Sequence, residues 1–451
     1  MCRQYAVYLF RLETFKFGAS LTAKPEASMS RHLLAQPLPL PGGAVLANRL
    51  VKAAMSEGMA DADGHSTARL ETLYRRWAAS GAGLLLSGNI QVDRWHLERP
   101  LNVVTEDDGG AAALARLADA GRSGGAHFWA QLAHTGRQVD AAINPAPLAP
   151  SVVEIEVIRG AGFNFAAPQA MTEAQIRHAI GQFASAARRV KAAGFTGVQL
   201  HAAHGYLFSQ FLSPHSNKRQ DRWGGALENR ARLLLDTLAE VRAAVGPGFP
   251  LSVKLNASDF QKGAFTHADC VALVRLLNDA TLDLLELSGG SLEQPKQVGA
   301  SLRDEGEDAR PASTRSREAY FLEFAGAVKA VARMPVMVTG GFRTASVMTE
   351  ALASGELDVV GLGRPMIADP EIPRKLLSGE ADRAPTPEIG LFHLLSWNNL
   401  QLERLADGLD PDLALQGADA AATFAKLERA NFARLLEARA ETPQAAFAVH
   451  G

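Results

Sequence analysis

The segment VQLHAAHGYLFSQFLSP places His201, His204 and Tyr206 within six residues, directly after a short apolar run. Two imidazoles and a phenol are groups that donate hydrogen bonds and exchange protons. Together they are three potential hydrogen-bond donors. The same histidines could bind a metal or serve structure alone. No HExxH stands in the chain and no third ligand lies nearby in sequence, so no metal is expected.

A second chemical cluster is PVMVTGGFRT followed by DVVGLGRPMIADP. Two successive strand-to-helix junctions carry glycine and arginine: Gly340, Gly341 and Arg343, then Gly363 and Arg364. Backbone N–H groups freed by glycine, a guanidinium and a helix N-terminus make an anion site. Turn glycines alone would explain one such junction; two in succession point to a phosphorylated ligand. Third, Ser56, Gln131 and Lys254 are polar residues at the ends of apolar runs. A lysine inside LSVKLN is costly to bury unless a negative ligand or an acidic neighbour meets it.

These residues need elements that bring them to one place. Strands are predicted at Arg49–Met55, Gly83–Ile90, Ala126–Leu132, Gly197–His201, Leu251–Leu255, Asp283–Leu287, Pro335–Thr339 and Asp358–Leu362. Several are continuous apolar runs, as in parallel strands buried on both faces. Helix-like stretches lie between them at 67–80, 108–121, 172–193, 226–245, 266–280, 314–333 and 344–354. Thr172 and Gln175 have the spacing of a capping box. Eight strands alternating with helices predict a single closed (β/α)8 TIM barrel, whose strand C-terminal ends build the active site. No GxGxxG follows the first strand, which argues against a doubly wound dinucleotide fold.

Three stretches break the rhythm. Residues 133–171 and 288–313 read as capping loops at the C-terminal face. Residues 379–451 read as a C-terminal helical extension, with Leu394, Trp397 and Leu400 spaced by three, packed on the barrel or on a partner subunit of a homo-oligomer. Residues 1–28 read as a disordered extension or an upstream start with Met29 as the true beginning, an organelle presequence being the alternative. The barrel itself is expected over 29–378.

Composition narrows the function classes. A net charge of -2 gives no argument for nucleic acid or an anionic membrane. No apolar run approaches the roughly 20 residues of a spanning helix. Cys2 and Cys270 are the only cysteines, which excludes a disulfide framework or a four-cysteine metal site within this chain. A cytoplasmic setting and a small-molecule substrate are expected.

The strings NRLVKAAMSE, FWAQLAHTGRQ, VQLHAAHGYLFSQFLSPHSNKRQDRWGGALENR, VMVTGGFRT and VVGLGRPMIADP resemble, in that order, the signature segments of the old yellow enzyme family, across roughly residues 31–378. The resemblance implies non-covalent FMN in the barrel mouth, NADH or NADPH as reductant, and an activated alkene as acceptor. It implies that Ala54, Met55 and Ser56 lie beside the flavin ring, and that Asn89, or its neighbour Gly88, is the second-strand contact. Gln131 would meet the pyrimidine side of the ring, and Lys254 would stand near N1 and O2. Gly341, Phe342, Gly363 and Arg364 would grip the phosphate. His201 and His204 would bind the substrate oxygen and Tyr206 would donate a proton. Departures are Lys254 for the usual arginine, Ser56 for threonine or cysteine, and Trp223 for tyrosine. Quinones, nitro compounds and nitrate esters are alternative acceptors; a non-catalytic FMN protein and a metal-dependent hydrolase are competing classes.

Overall fold

The computed structural model describes residues 32–156, 164–295 and 318–441. The expectations for residues 1–28 and for most of the 288–313 loop therefore lie outside the described residues. Eight parallel strands close into a barrel: β1 (Leu50–Lys52), β2 (Leu84–Gln91), β3 (His127–Ala133), β4 (Gly197–Ala202), β5 (Leu251–Asn256), β6 (Leu284–Ser288), β7 (Val336–Thr339) and β8 (Val359–Leu362). Around them lie α1 (Ala68–Ala78), α2 (Ala111–Arg122), α3 (Glu173–Ala192), α4 (Arg232–Val245), α5 (His267–Leu277), α6 (Leu322–Lys329), α7 (Ala345–Ala353) and α8 (Ile372–Ser378). The order is that of a (β/α)8 TIM barrel, as the apolar runs predict. The described strands are buried almost throughout because helices cover their outer faces and side chains fill the interior.

The helices start where local chemistry supplies caps. The Thr172 hydroxyl accepts from Gln175 N at 3.2 Å while Gln175 Oε1 accepts from Thr172 N at 2.9 Å, the expected capping box of α3. Thr266 and Asp269 do the same for α5. Trp77 of α1 is fully buried and its indole N–H donates to Met366 O at 2.9 Å. That bond ties the first helix to the segment after the last strand, where the barrel closes.

β1 is shorter than the predicted Arg49–Met55. Its ladder to β8 ends at Lys52 opposite Leu362, and the chain from Ala54 onward turns into the barrel mouth. A buried network holds that turn. Lys52 Nζ donates to Leu86 O at 2.7 Å and lies over the Trp77 ring at 4.2 Å; burial lowers its ammonium to about 8. Tyr74 donates to the Glu57 carboxylate, which also accepts from Gly88 N at 3.1 Å. The register of β2 shifts between Leu86 and Asn89 there. Only glycine fits at position 88, since any Cβ would run into the Glu57 carboxylate and the Met55 carbonyl.

Beyond α8 the chain forms two further helices, α9 (Leu391–Ala406) and α10 (Gly417–Glu441), packed on each other and, through α9, on α1. Trp397 is buried against the main core. No helix among the described residues is long and apolar enough to cross a membrane.

Candidate functional site

A cavity of about 700 Å³ opens at the C-terminal ends of the strands. Its walls include Ala54, Met55 and Ser56 after β1, His204 and Tyr206 after β4, Lys254 of β5, Gly341 and Phe342 after β7, and Gly363 and Arg364 after β8. Ten of the thirteen residues to which the resemblance assigns flavin or substrate contacts thus share one space, together with Gly340 and Arg343. Asn89, Gln131 and His201 are not in its lining; they are buried in networks next to it.

His201 and His204 stand edge-on with ring centroids 5.1 Å apart, and His201 is 4.7 Å from the Tyr206 ring. His201 Nδ1 accepts from Ala203 N at 3.3 Å, which leaves the proton of a neutral ring on Nε2. His204 Nε2 is 2.8 Å from Ser288 Oγ, and a hydroxyl donating there leaves the proton on Nδ1. His204 has φ +62, and its N–H donates to Asn256 Oδ1 at 3.1 Å. Asn256 is itself fixed by its own amide, which donates to Asp259 at 2.8 Å and Gly290 O at 2.9 Å. The left-handed turn that aims His204 is thus imposed by the end of β5. Tyr206 caps the short helix Leu207–Leu212, whose first N–H bonds His134 O at 2.9 Å.

Burial holds both imidazoles well below their usual range, and the Lys254 charge adds to the effect. Both rings are therefore neutral donors at pH 7. Burial pushes the Tyr206 phenol well above its ordinary value, with the Glu98 carboxyl adding to it, so its proton stays in place. In the unfolded chain the same histidines protonate near pH 6.5. The unfolded state then binds protons the folded state refuses, so stability is present above about pH 6.5 and is lost as pH falls below it. Thermal melts between pH 7.5 and 5.5 should show this loss, and His204→Asn should reduce its slope.

Lys254 meets the acidic neighbour that its position allowed. Its Nζ lies 3.0 Å from Glu286 Oε1, the residue opposite it in the β5–β6 ladder. Glu286 accepts from Gln199 Nε2 at 2.9 Å, and Gln199 accepts from Gln131 Nε2 at 2.7 Å. This chain of four crosses the barrel interior from β3 to β6. Among the described residues Glu286 is the one partner of the ammonium, which leaves further donors for a ligand.

At the other end, Arg343 and Arg364 converge. Burial lowers the Arg343 guanidinium, and the charge of Arg364 lowers it further. Neither has a carboxylate within ion-pair distance among the described residues; Arg364 reaches only the Tyr320 hydroxyl, at 3.5 Å. The helix after Gly363 is a single turn, Pro365–Ala368, so a helix dipole adds little and the guanidiniums carry the anion site. Buried Thr339 Oγ1, in the same lining, also lacks a hydrogen-bond partner among the described residues. Two cations without a carboxylate partner among the described residues at one end, and a partly satisfied ammonium at the other, could hold a ligand with a phosphate at one end and a negatively charged ring at the other.

Several lining residues were not evident in the sequence. Glu98 follows β2 in a loop whose N–H groups at 98 and 99 are held by Asn102 Oδ1 at 2.9 Å. Its carboxyl faces Ser56 and Asn89, and burial raises its pKa. Outside the lining, in the buried networks that hold it, Gln199, Glu286 and Asn256 carried the same signal as Gln131 and Lys254, a polar residue in an apolar strand. Asp93, His96 and His134 form a separate buried group close enough to share an ion. Its proton arrangement suits hydrogen bonding instead. His96 Nε2 accepts from Leu148 N at 3.1 Å and His134 Nδ1 from Gly136 N at 3.0 Å, so both rings turn N–H groups toward Asp93 Oδ2.

Residues 34–383 match the NADH:flavin oxidoreductase / NADH oxidase family. The chain is 33% identical over 395 residues to the NADH-dependent flavin oxidoreductase nadA of Aspergillus parasiticus, covering 84% of this chain and 86% of that protein. It is 35% identical over 370 residues to iliE of Neonectria sp., covering 78% of this chain but 48% of that protein, so it spans about half of that relative's length. Among solved structures it resembles the old yellow enzyme homologue from Zymomonas mobilis, with a TM-score of 0.66, 25% identity, and coverage of 79% and 95%. Morphinone reductase in complex with tetrahydroNAD gives a TM-score of 0.65, 25% identity, and coverage of 78% and 93%. The barrel, the paired histidines before Tyr206, the arginine junctions and these likenesses agree: the chain belongs to the NADH:flavin oxidoreductase / NADH oxidase family, that of old yellow enzyme.

Proposed function

We propose that this protein is an FMN-dependent oxidoreductase that uses NADH or NADPH to reduce activated alkenes of the enone type. The observation that carries the proposal is one cavity lined by the neutral imidazole of His204, with the His201 ring 5.1 Å from it, by the protonated Tyr206 phenol, and by two guanidiniums that have no carboxylate partner among the described residues. The relatives' names specify NADH, which favours NADH. FMN, when bound, supplies hydride chemistry between the nicotinamide and the alkene. The protein's own residues do the rest. His201 and His204 hold the substrate carbonyl oxygen and stabilise the charge that develops on it. Each neutral ring keeps one N–H to donate to that oxygen. Tyr206 holds the proton destined for the alkene α-carbon. Quinone and nitro acceptors take protons on oxygen from solvent, so a buried phenol is of most use to an alkene.

Arg343, Arg364, Phe342, Gly341 and Gly363 would hold the phosphate; Ala54, Met55, Ser56, Gln131 and Lys254 would surround the ring, with Asn89 supporting Ser56 through Glu98. Heat release of the chromophore and mass spectrometry should yield FMN; FAD, or a colourless protein, would refute the assignment. Lys254→Met removes a cation and leaves Glu286 unpaired, so the flavin midpoint potential should fall. About 1–3 kcal/mol of lost stabilisation corresponds to roughly 20–65 mV for a two-electron couple. Spectroelectrochemical titration of the variant checks this.

A further inference from the structure

Besides the residues proposed above to hold FMN or the substrate oxygen, the cavity is walled by Leu395 and Leu402 of α9 and by Phe424, Glu428 and Phe432 of α10, with Phe165 from the 133–171 loop. The three α10 residues are four apart and so lie on one face of that helix. Phe424 and Phe432 are half-buried.

This wall is fixed in place by its own chain. Arg99, beside the cavity, makes a two-pronged contact with Glu428, at 2.8 Å and 3.3 Å, and its guanidinium lies 5.1 Å from the Phe424 ring. A further Arg99 nitrogen donates to Asn399 of α9 and to Glu57 O. Arg69 pairs with Glu403 at 2.6 Å and Asp407 at 2.7 Å. Near the end of α10, Arg439 lies over the Trp95 ring at 4.3 Å and donates to Ile143 O at 2.9 Å. Contacts at both ends and in the middle make the helical pair a wall rather than a loose tail.

We propose that this C-terminal hairpin selects the substrate, favouring a flat apolar molecule of two or more fused rings whose rings rest on Phe424 and Phe432 while its oxygen meets His201 and His204. Two aromatic side chains, one to each side of Glu428, suit planar hydrocarbon rings. The proposal rests on the enone reading for the position of the oxygen, and the test separates the two. Phenol and the four-ring phenol estradiol are titrated into the FMN-loaded protein, with binding read from the change in flavin absorbance. In Phe424→Ala and Phe432→Ala the preference for estradiol over phenol should fall at least tenfold, about 1.4 kcal/mol. Phe432→Leu should recover part of it. In turnover, the loss should appear in KM for a four-ring enone steroid and not in the ratio of kcat values against 2-cyclohexenone. An unchanged preference, or equal weakening of both phenols, overturns the proposal. If neither enone is reduced but estradiol binding still depends on the two phenylalanines, the hairpin proposal stands and the enone reading fails.

Discussion

Tyr206→Phe should slow reoxidation of the reduced protein by an enone roughly 10²–10⁴-fold while leaving flavin reduction by NADH almost unchanged. The substitution keeps the ring against His201 and removes only the hydroxyl. Burial keeps that hydroxyl protonated, so it is a ready acid and not a base at neutral pH. The reductive half-reaction needs no proton from it. Reoxidation by a quinone should slow much less, since quinone oxygens take protons from solvent. Stopped-flow traces of the two half-reactions separate these cases. Equal slowing of both would assign Tyr206 a structural role and the proton to another donor.

Arg364→Met should have the second largest effect and should act in opposite directions on the loaded and empty protein. With phosphate bound, it removes a charge-assisted contact of about 1.5–3 kcal/mol, so FMN affinity should fall roughly 10–150-fold. Without FMN, Arg343 and Arg364 repel each other in a partly buried site. Removing one of them should leave the melting temperature of the FMN-free protein equal or higher. Ultrafiltration of the flavin and melts of both forms check the two signs. Lower stability of the empty variant together with unchanged FMN retention would mean that the arginine is structural.

The parts of the fold that were legible in the sequence are those in which one physical cause dominates. Strands buried on both faces, such as LLLS and VVGL, read as near-continuous apolar runs, and the Thr172–Gln175 box marks α3 through its own hydrogen bonds. β1 was read as too long because RLVKAAM stays apolar from Ala53 to Met55, beyond Lys52; the chain leaves the ladder when β8 offers no further partner after Leu362. Lys254 was legible as a polar residue that needed a partner, yet Glu286, with an identical signal, was missed until register placed them side by side. Glu98 lies in a loop with no periodicity to mark it. The role of the last two helices depended on how α10 docks. Phe424, Glu428 and Phe432 form a stripe that any amphipathic helix could carry, and only the long-range pairing with Arg99 turns it toward the cavity.

The central claim is that this site delivers hydride and proton to an activated alkene, and an anaerobic single turnover tests it most directly. Protein reduced with one equivalent of NADH is mixed with 2-cyclohexenone, and the flavin spectrum and the organic product are followed together. The account predicts return of the oxidised flavin spectrum with one equivalent of cyclohexanone formed. A flavin that stays reduced in the presence of saturating enone, yet reoxidises at once with a quinone, would contradict it.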